Sequence, residues 1–135
     1  MVRVFLLDDH ETVRHGLREL LEAHRDLRVV GEAGTVEEAR VRIPTARPDV
    51  AVLDVRLPDG DGVEVCRGIR AQYPGIYCLM LTAFADDGVR LASVAAGASG
   101  FVLKQIKGGD IVESVRLAAA GEMLFDAETR ARAGE

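Results

Sequence analysis

Asp8 and Asp9 follow the apolar run Val2–Leu7, and Asp54 closes a second run that begins at Asp49. Thr82 follows Ile76–Leu81, and Lys104 follows Phe101–Leu103. Each polar group therefore stands at the carboxyl end of a segment that reads as a strand. If those ends meet, three carboxylates, a hydroxyl and an ammonium share one small space. Carboxylates in contact repel, and one of them is driven to take up a proton unless a cation intervenes. Hard oxygen donors suit Mg2+, which keeps several waters and also binds phosphoryl oxygens. Between the acidic pair and the lysine, Asp54 is then a carboxylate nucleophile able to form an acyl phosphate. The cation and Lys104 would stabilise charge on the equatorial oxygens during transfer. Thr82 is placed to hydrogen-bond a phosphoryl oxygen afterwards. Taken singly, the same residues have ordinary readings: Asp8 and Asp9 as helix caps, Asp54 as a strand end, Thr82 as a turn former, Lys104 as a solvated charge. Their joint placement favours the chemistry. His10, His15 and His24 lack ligand spacing and read as surface or loop residues.

The elements that must position these groups alternate along the chain. Val2–Leu7 is apolar except for Arg3, as expected of a strand covered on both faces. Val13, Leu17, Leu20 and Leu21 then recur at helical spacing. Arg28–Ala33 reads as a weaker strand. Thr35 and Glu38 match a capping box for a second helix, which Pro44 ends or disturbs. A strand over Asp49–Asp54, a loop at Pro58–Gly62 and a helix carrying Val63, Cys66, Ile69 and Tyr73 follow. Next come the strand Ile76–Leu81, a helix over Asp86–Ala96 stopped by Gly97, the strand Phe101–Leu103 and a last helix from about Asp110 to Gly121. Five strands, each followed by a helix, predict an α/β (βα)5 doubly wound parallel sheet. Strand order 2-1-3-4-5 is a common right-handed solution, with ligands outside the carboxyl ends where the winding reverses between strands 1 and 3.

The 135 residues suit one domain and carry 17 basic against 22 acidic side chains, a net charge of −5. No basic stripe is present, so direct nucleic-acid binding by this chain is not expected. Its apolar runs fall far short of the roughly 20 residues a membrane span needs. The N-terminus enters a strand without signal-peptide architecture. Cys66 and Cys78 lack metal spacing and read as reduced core residues of a cytoplasmic protein.

Phe5-Leu6-Leu7-Asp8-Asp9-His10, Val52-Leu53-Asp54-Val55-Arg56-Leu57-Pro58 with Gly62, Leu81-Thr82-Ala83 and Gly100-Phe101-Val102-Leu103-Lys104 together resemble the receiver domains of two-component response regulators. The flavodoxin-like receiver fold is what that resemblance implies. Asp8-Asp9-His10, Arg14-His15-Gly16-Leu17 and Gly97-Ala98-Ser99-Gly100 are similar to the NarL/FixJ (LuxR-type) branch, and Ala46-Arg47-Pro48 through Gly60 to its actinobacterial dormancy-survival regulators. The resemblance implies that Asp9 and Asp54 ligate Mg2+ with the backbone carbonyl of Arg56, Asp8 acting through a water. It implies phosphoryl transfer to Asp54 from a sensor histidine kinase, with no activity beyond the domain's own phosphorylation and dephosphorylation. Thr82 and Phe101 would form the switch pair. Homodimers through the fourth helix, fifth strand and fifth helix, or through the first and fifth helices, are implied as well. Residues 1–120 form the expected receiver. Residues 121–135 form a tail, or the start of a linker to a helix-turn-helix DNA-binding domain outside this chain that would control transcription.

Two departures stand out. Gln105 replaces the proline that commonly follows the lysine. Phe101 lacks the hydroxyl of the commoner tyrosine. A bulky Phe84 is expected to restrict water and lengthen the phosphorylated lifetime. Other classes fit less well. A phosphate-ester hydrolase would want an acid two residues after Asp54, where Arg56 stands, and a nucleotide or flavin binder would want a phosphate cradle where Asp8-Asp9 repel phosphate. A pseudo-receiver would lack one of the five key residues.

Overall fold

The computed structural model describes residues 1–83, 86–104 and 108–134. In chain order the elements are β1 (Val2–Leu7), α1 (Glu11–Glu22), β2 (Leu27–Ala33), α2 (Val36–Ala46), β3 (Val50–Asp54), β4 (Arg56–Leu57), β5 (Gly60–Asp61), α3 (Gly62–Gln72), β6 (Tyr77–Thr82), α4 (Asp87–Ala95), β7 (Gly100–Leu103), α5 (Gly108–Ala119) and α6 (Ala127–Ala133). The main sheet has the order β2-β1-β3-β6-β7, all parallel. That is the order expected from the sequence once β4 and β5 are set aside as a separate two-stranded antiparallel ribbon.

Successive strand residues point to opposite faces, and here both faces are covered. Phe5, Leu7, Ala51, Leu53, Cys78 and Met80 point to one side and meet Ala39 and Ile43 of α2 and Val63, Cys66 and Ile69 of α3. Val4, Leu6, Val50, Val52, Leu79 and Leu81 point to the other and meet Leu21 of α1 and Ile111, Val112, Val115 and Ala118 of α5. Double coverage explains why these strands read as continuous apolar runs rather than alternating ones. Cys66 and Cys78 are buried free thiols.

Side chains start several helices. Thr35 Oγ1 accepts from the Glu38 N–H at 3.1 Å, and Glu38 Oε1 accepts from the Gly34 N–H at 2.9 Å, closing the predicted box one residue further out. Pro44 does not stop α2. The helix runs two residues past it and ends at Ala46, with Arg47 in the left-handed region at φ 48°. Proline costs most in a helix interior, and Pro44 lies in the final turn. The chain beyond Gly121 also packs. The Leu124 N–H donates to the Ser99 carbonyl at 2.7 Å, Phe125 is 8% exposed, and α6 lies against α4. Among the described residues no helix is long and apolar enough to cross a membrane.

Candidate functional site

Parallel register brings the polar strand ends together. Leu7 pairs with Leu53, so Asp8 and Asp54 leave adjacent strands side by side. Thr82 pairs with Leu103, and the Lys104 N–H donates to the Thr82 carbonyl at 2.7 Å. Lys104 Nζ reaches back across the edge, 3.0 Å from Asp54 Oδ2 and 3.0 Å from Asp8 Oδ2. Carboxylate oxygens of Asp8, Asp9 and Asp54 and a ring nitrogen of His10 all lie within 4.8 Å of one another. Asp8 is 1% exposed and Asp54 4%, while the Asp9 side chain keeps 29% of its surface.

The electrostatics follow from this crowding. Burial pushes the Asp54 carboxyl above its ordinary pKa; the hydrogen bond from Lys104 pulls it back without cancelling the effect, and the Asp8 charge adds to the rise. Burial alone would lower the Lys104 ammonium, but its contacts with Asp54 and Asp8 outweigh this and hold it above the usual lysine range. Among the described residues, one ammonium, that of Lys104, meets Asp8 and Asp54 of this three-carboxylate cluster. Asp8 Oδ2 is fully buried and, among the described residues, accepts no aligned hydrogen bond, meeting Lys104 at ion-pair distance. Buried carboxylate oxygens in excess of their cationic partners suit a hard divalent cation, so the donor chemistry fits Mg2+.

Three neighbours shape the cluster. Arg14 Nη1 donates to the Asp8 carbonyl at 2.6 Å while its Nε donates to Glu32 at 3.1 Å, pinning the acidic turn to the end of β2. Gly62 packs so closely that a Cβ there would lie 1.9 Å from the Asp54 carbonyl oxygen. His10, which the sequence placed only on the surface, is indeed exposed, yet its Nδ1 lies 3.2 Å from both Asp8 Oδ1 and Asp9 Oδ1. Ligand spacing along the chain did not reveal it, because the turn after β1 folds the ring back over the two preceding carboxylates. Arg14 had a signal, its place in the Arg14-His15-Gly16-Leu17 motif, but nothing in the sequence pointed it at a carbonyl.

The remaining expected residues lie around this edge. Thr82 is buried at the end of β6. Arg56, with an exposed side chain, opens the β4–β5 ribbon two residues after Asp54 and pairs with Asp61. Phe101 is half-buried on the edge strand β7, with the Arg90 guanidinium 5.2 Å from its ring centroid. Phe84 and Gln105 lie outside the described residues.

Comparison with known proteins agrees with the fold and the motifs. Residues 4–116 match the family model described as the response regulator receiver domain. The chain is 55% identical over 126 residues to the DNA-binding transcriptional activator DevR/DosR of Mycobacterium tuberculosis, covering 93% of this chain and 58% of that protein. It therefore spans little more than half of that relative's length. Among solved structures, the receiver domain of the putative response regulator NarL from M. tuberculosis superposes with a TM-score of 0.85 at 34% identity, over 90% of this chain and 98% of that one. A LuxR-family two-component response regulator from Aurantimonas gives 0.88 at 30% identity, over 99% and 96%. On the parallel sheet, the acidic edge and these matches together, the chain belongs to the response regulator receiver domain family, on its LuxR-type (NarL) branch.

Proposed function

We propose that Asp54 accepts a phosphoryl group from the phosphohistidine of a sensor histidine kinase and thereby controls an output. The observation that carries this reading is the Lys104 ammonium 3.0 Å from a buried Asp54 that lies within a cluster of carboxylates. A carboxylate oxygen of Asp54 attacks phosphorus, a P–O bond forms and the P–N bond to the donor imidazole breaks, the departing ring taking up a proton. Lys104 neutralises charge on the incoming phosphoryl oxygens, and Thr82 donates its hydroxyl to one of them. Asp9, Asp54 and the Arg56 carbonyl would hold Mg2+, with Asp8 acting through a water; when bound, the ion neutralises phosphoryl charge during transfer. Burial of Asp54 keeps competing water away from the acyl phosphate. The domain promotes no reaction beyond its own phosphorylation and dephosphorylation.

The new group adds roughly −1.5 to −2 charges at this edge. Thr82 and Phe101 respond to it, the hydroxyl moving toward the phosphoryl group and the ring turning inward. The output is transcription, exerted through a helix-turn-helix domain that follows residues 121–135, with residues 1–120 as receiver. Homodimers form through α4, β7 and α5 or through α1 and α5, in the cytoplasm. Intact-mass measurement after treatment with acetyl phosphate and Mg2+ tests the core of this. One phosphoryl adduct is expected on the wild type and none on Asp54→Asn; an adduct that survives in the variant refutes the assignment.

A further inference from the structure

We propose that His10 is a fourth donor of the acidic cluster, so that the site takes divalent transition cations such as Co2+ and Zn2+ through an imidazole that Mg2+ does not use. The proposal rests on the reading of Asp8, Asp9 and Asp54 as a cation site and extends it to a different class of ion. Its basis is distance and chemistry. His10 Nδ1 stands 3.2 Å from Asp8 Oδ1 and 3.2 Å from Asp9 Oδ1. Donors about 2.1 Å from a common ion lie roughly 3.0 Å apart when cis in an octahedron and roughly 3.4 Å apart in a tetrahedron. The observed spacing falls between the two. The same donors lie within 4.8 Å of Asp54, and the buried Asp8 Oδ2 still lacks an aligned hydrogen bond.

Imidazole suits Zn2+ and its transition-series neighbours, whereas Mg2+ prefers oxygen and water. An all-oxygen site would already rank Zn2+ above Mg2+, so affinity order alone decides nothing. The dependence of each affinity on His10 does. The His10 side chain is 64% exposed and makes no capping hydrogen bond to α1, although it occupies the N-cap position. Turning the ring toward an ion therefore costs the helix nothing. The competing account is that Nδ1–H donates to the two carboxylates and orders them, whatever ion arrives.

The test compares the full chain with His10→Ala and His10→Gln. Mg2+ affinity is measured by calorimetry, and Co2+ and Zn2+ affinities by competition with a chromogenic chelator. Both variants are expected to lose about tenfold or more in Co2+ and Zn2+ affinity while the Mg2+ affinity stays within about twofold. The Co2+-loaded wild type should show a hyperfine-shifted imidazole C–H proton signal that both variants lack. His10→Gln retains a hydrogen-bond donor but not the imidazole. Wild-type Co2+ affinity in that variant, an equal loss for Mg2+ and Co2+, or absence of the shifted proton would each overturn the proposal. Failure of the wild type to bind Mg2+ at all would instead sink the underlying cation reading, which separates the two.

Discussion

The acidic edge and the α4–α6 side of the molecule are built on opposite terms. At the edge, Asp8 and Asp54 are buried against the Lys104 ammonium, and the Asp54 proton affinity is raised by the burial. On the α4–α6 side, Phe125 joins Ala96 and Ala98 in one apolar layer, and Leu124 lies against Gly100 while its N–H bonds to Ser99. Stability comes from the second region and is given up in the first. The lesson is that strain in a receiver can be read as unbalanced charge rather than as distorted backbone.

That contrast would break first at Gly62, where the edge depends on packing after all. A methyl group at this position meets the Asp54 backbone, which cannot yield as a side chain would. Gly62→Ala is expected to cost about 4 kcal/mol, seen as a large fall in chemical-denaturation midpoint, and to abolish the acetyl phosphate adduct. An unchanged midpoint would show that the β4–β5 ribbon shifts freely. Next, Phe125→Ala should cost about 3 kcal/mol while leaving Mg2+ affinity as it was. A loss of Mg2+ binding in that variant would mean the two regions are coupled.

The smallest effect sharpens the comparison most. Because burial raises the folded-state pKa of Asp54, the folded chain binds that proton more tightly than the unfolded chain does. The group's stabilising contribution is complete below the unfolded value, near 3.9, and is lost as pH rises through the folded one. At neutral pH without metal, Asp54→Asn should therefore raise Tm by a few degrees, and the gain should vanish on acidification to about pH 4. Thermal unfolding in chelator across a pH series measures this. A loss at neutral pH would mean that the Lys104 ion pair outweighs burial, and a gain that does not vary with pH would mean that the Asp54 proton is not its source.

Much of this was legible in the residues. Asp8, Asp54, Thr82 and Lys104 each end an apolar strand, and a parallel doubly wound sheet gathers such ends, so periodicity and handedness sufficed to bring them together. What escaped was set by the folding of short loops. Asp8 is buried and Asp9 is not, although they are neighbours of one type; the Asp8 side chain meets Lys104 and the His10 N–H in the turn into α1. His10 escaped for the same reason. Leu124 and Phe125 escaped because two adjacent apolar residues in a short segment show no periodicity. The β4–β5 ribbon has two residues per strand, too few for a pattern to register.

The two apolar layers have a consequence for how this sequence can vary. Val52 and Leu53 are joined by a peptide bond but belong to different layers, separated by the sheet itself. Phe5 and Phe125 are 120 positions apart and belong to the same one. Truncations at Val52 and Leu53 should therefore sum closely, whereas volume changes that compensate one another should be sought between positions remote in the chain that share a layer. Neighbourhood in this protein is a matter of which side of the sheet a residue faces.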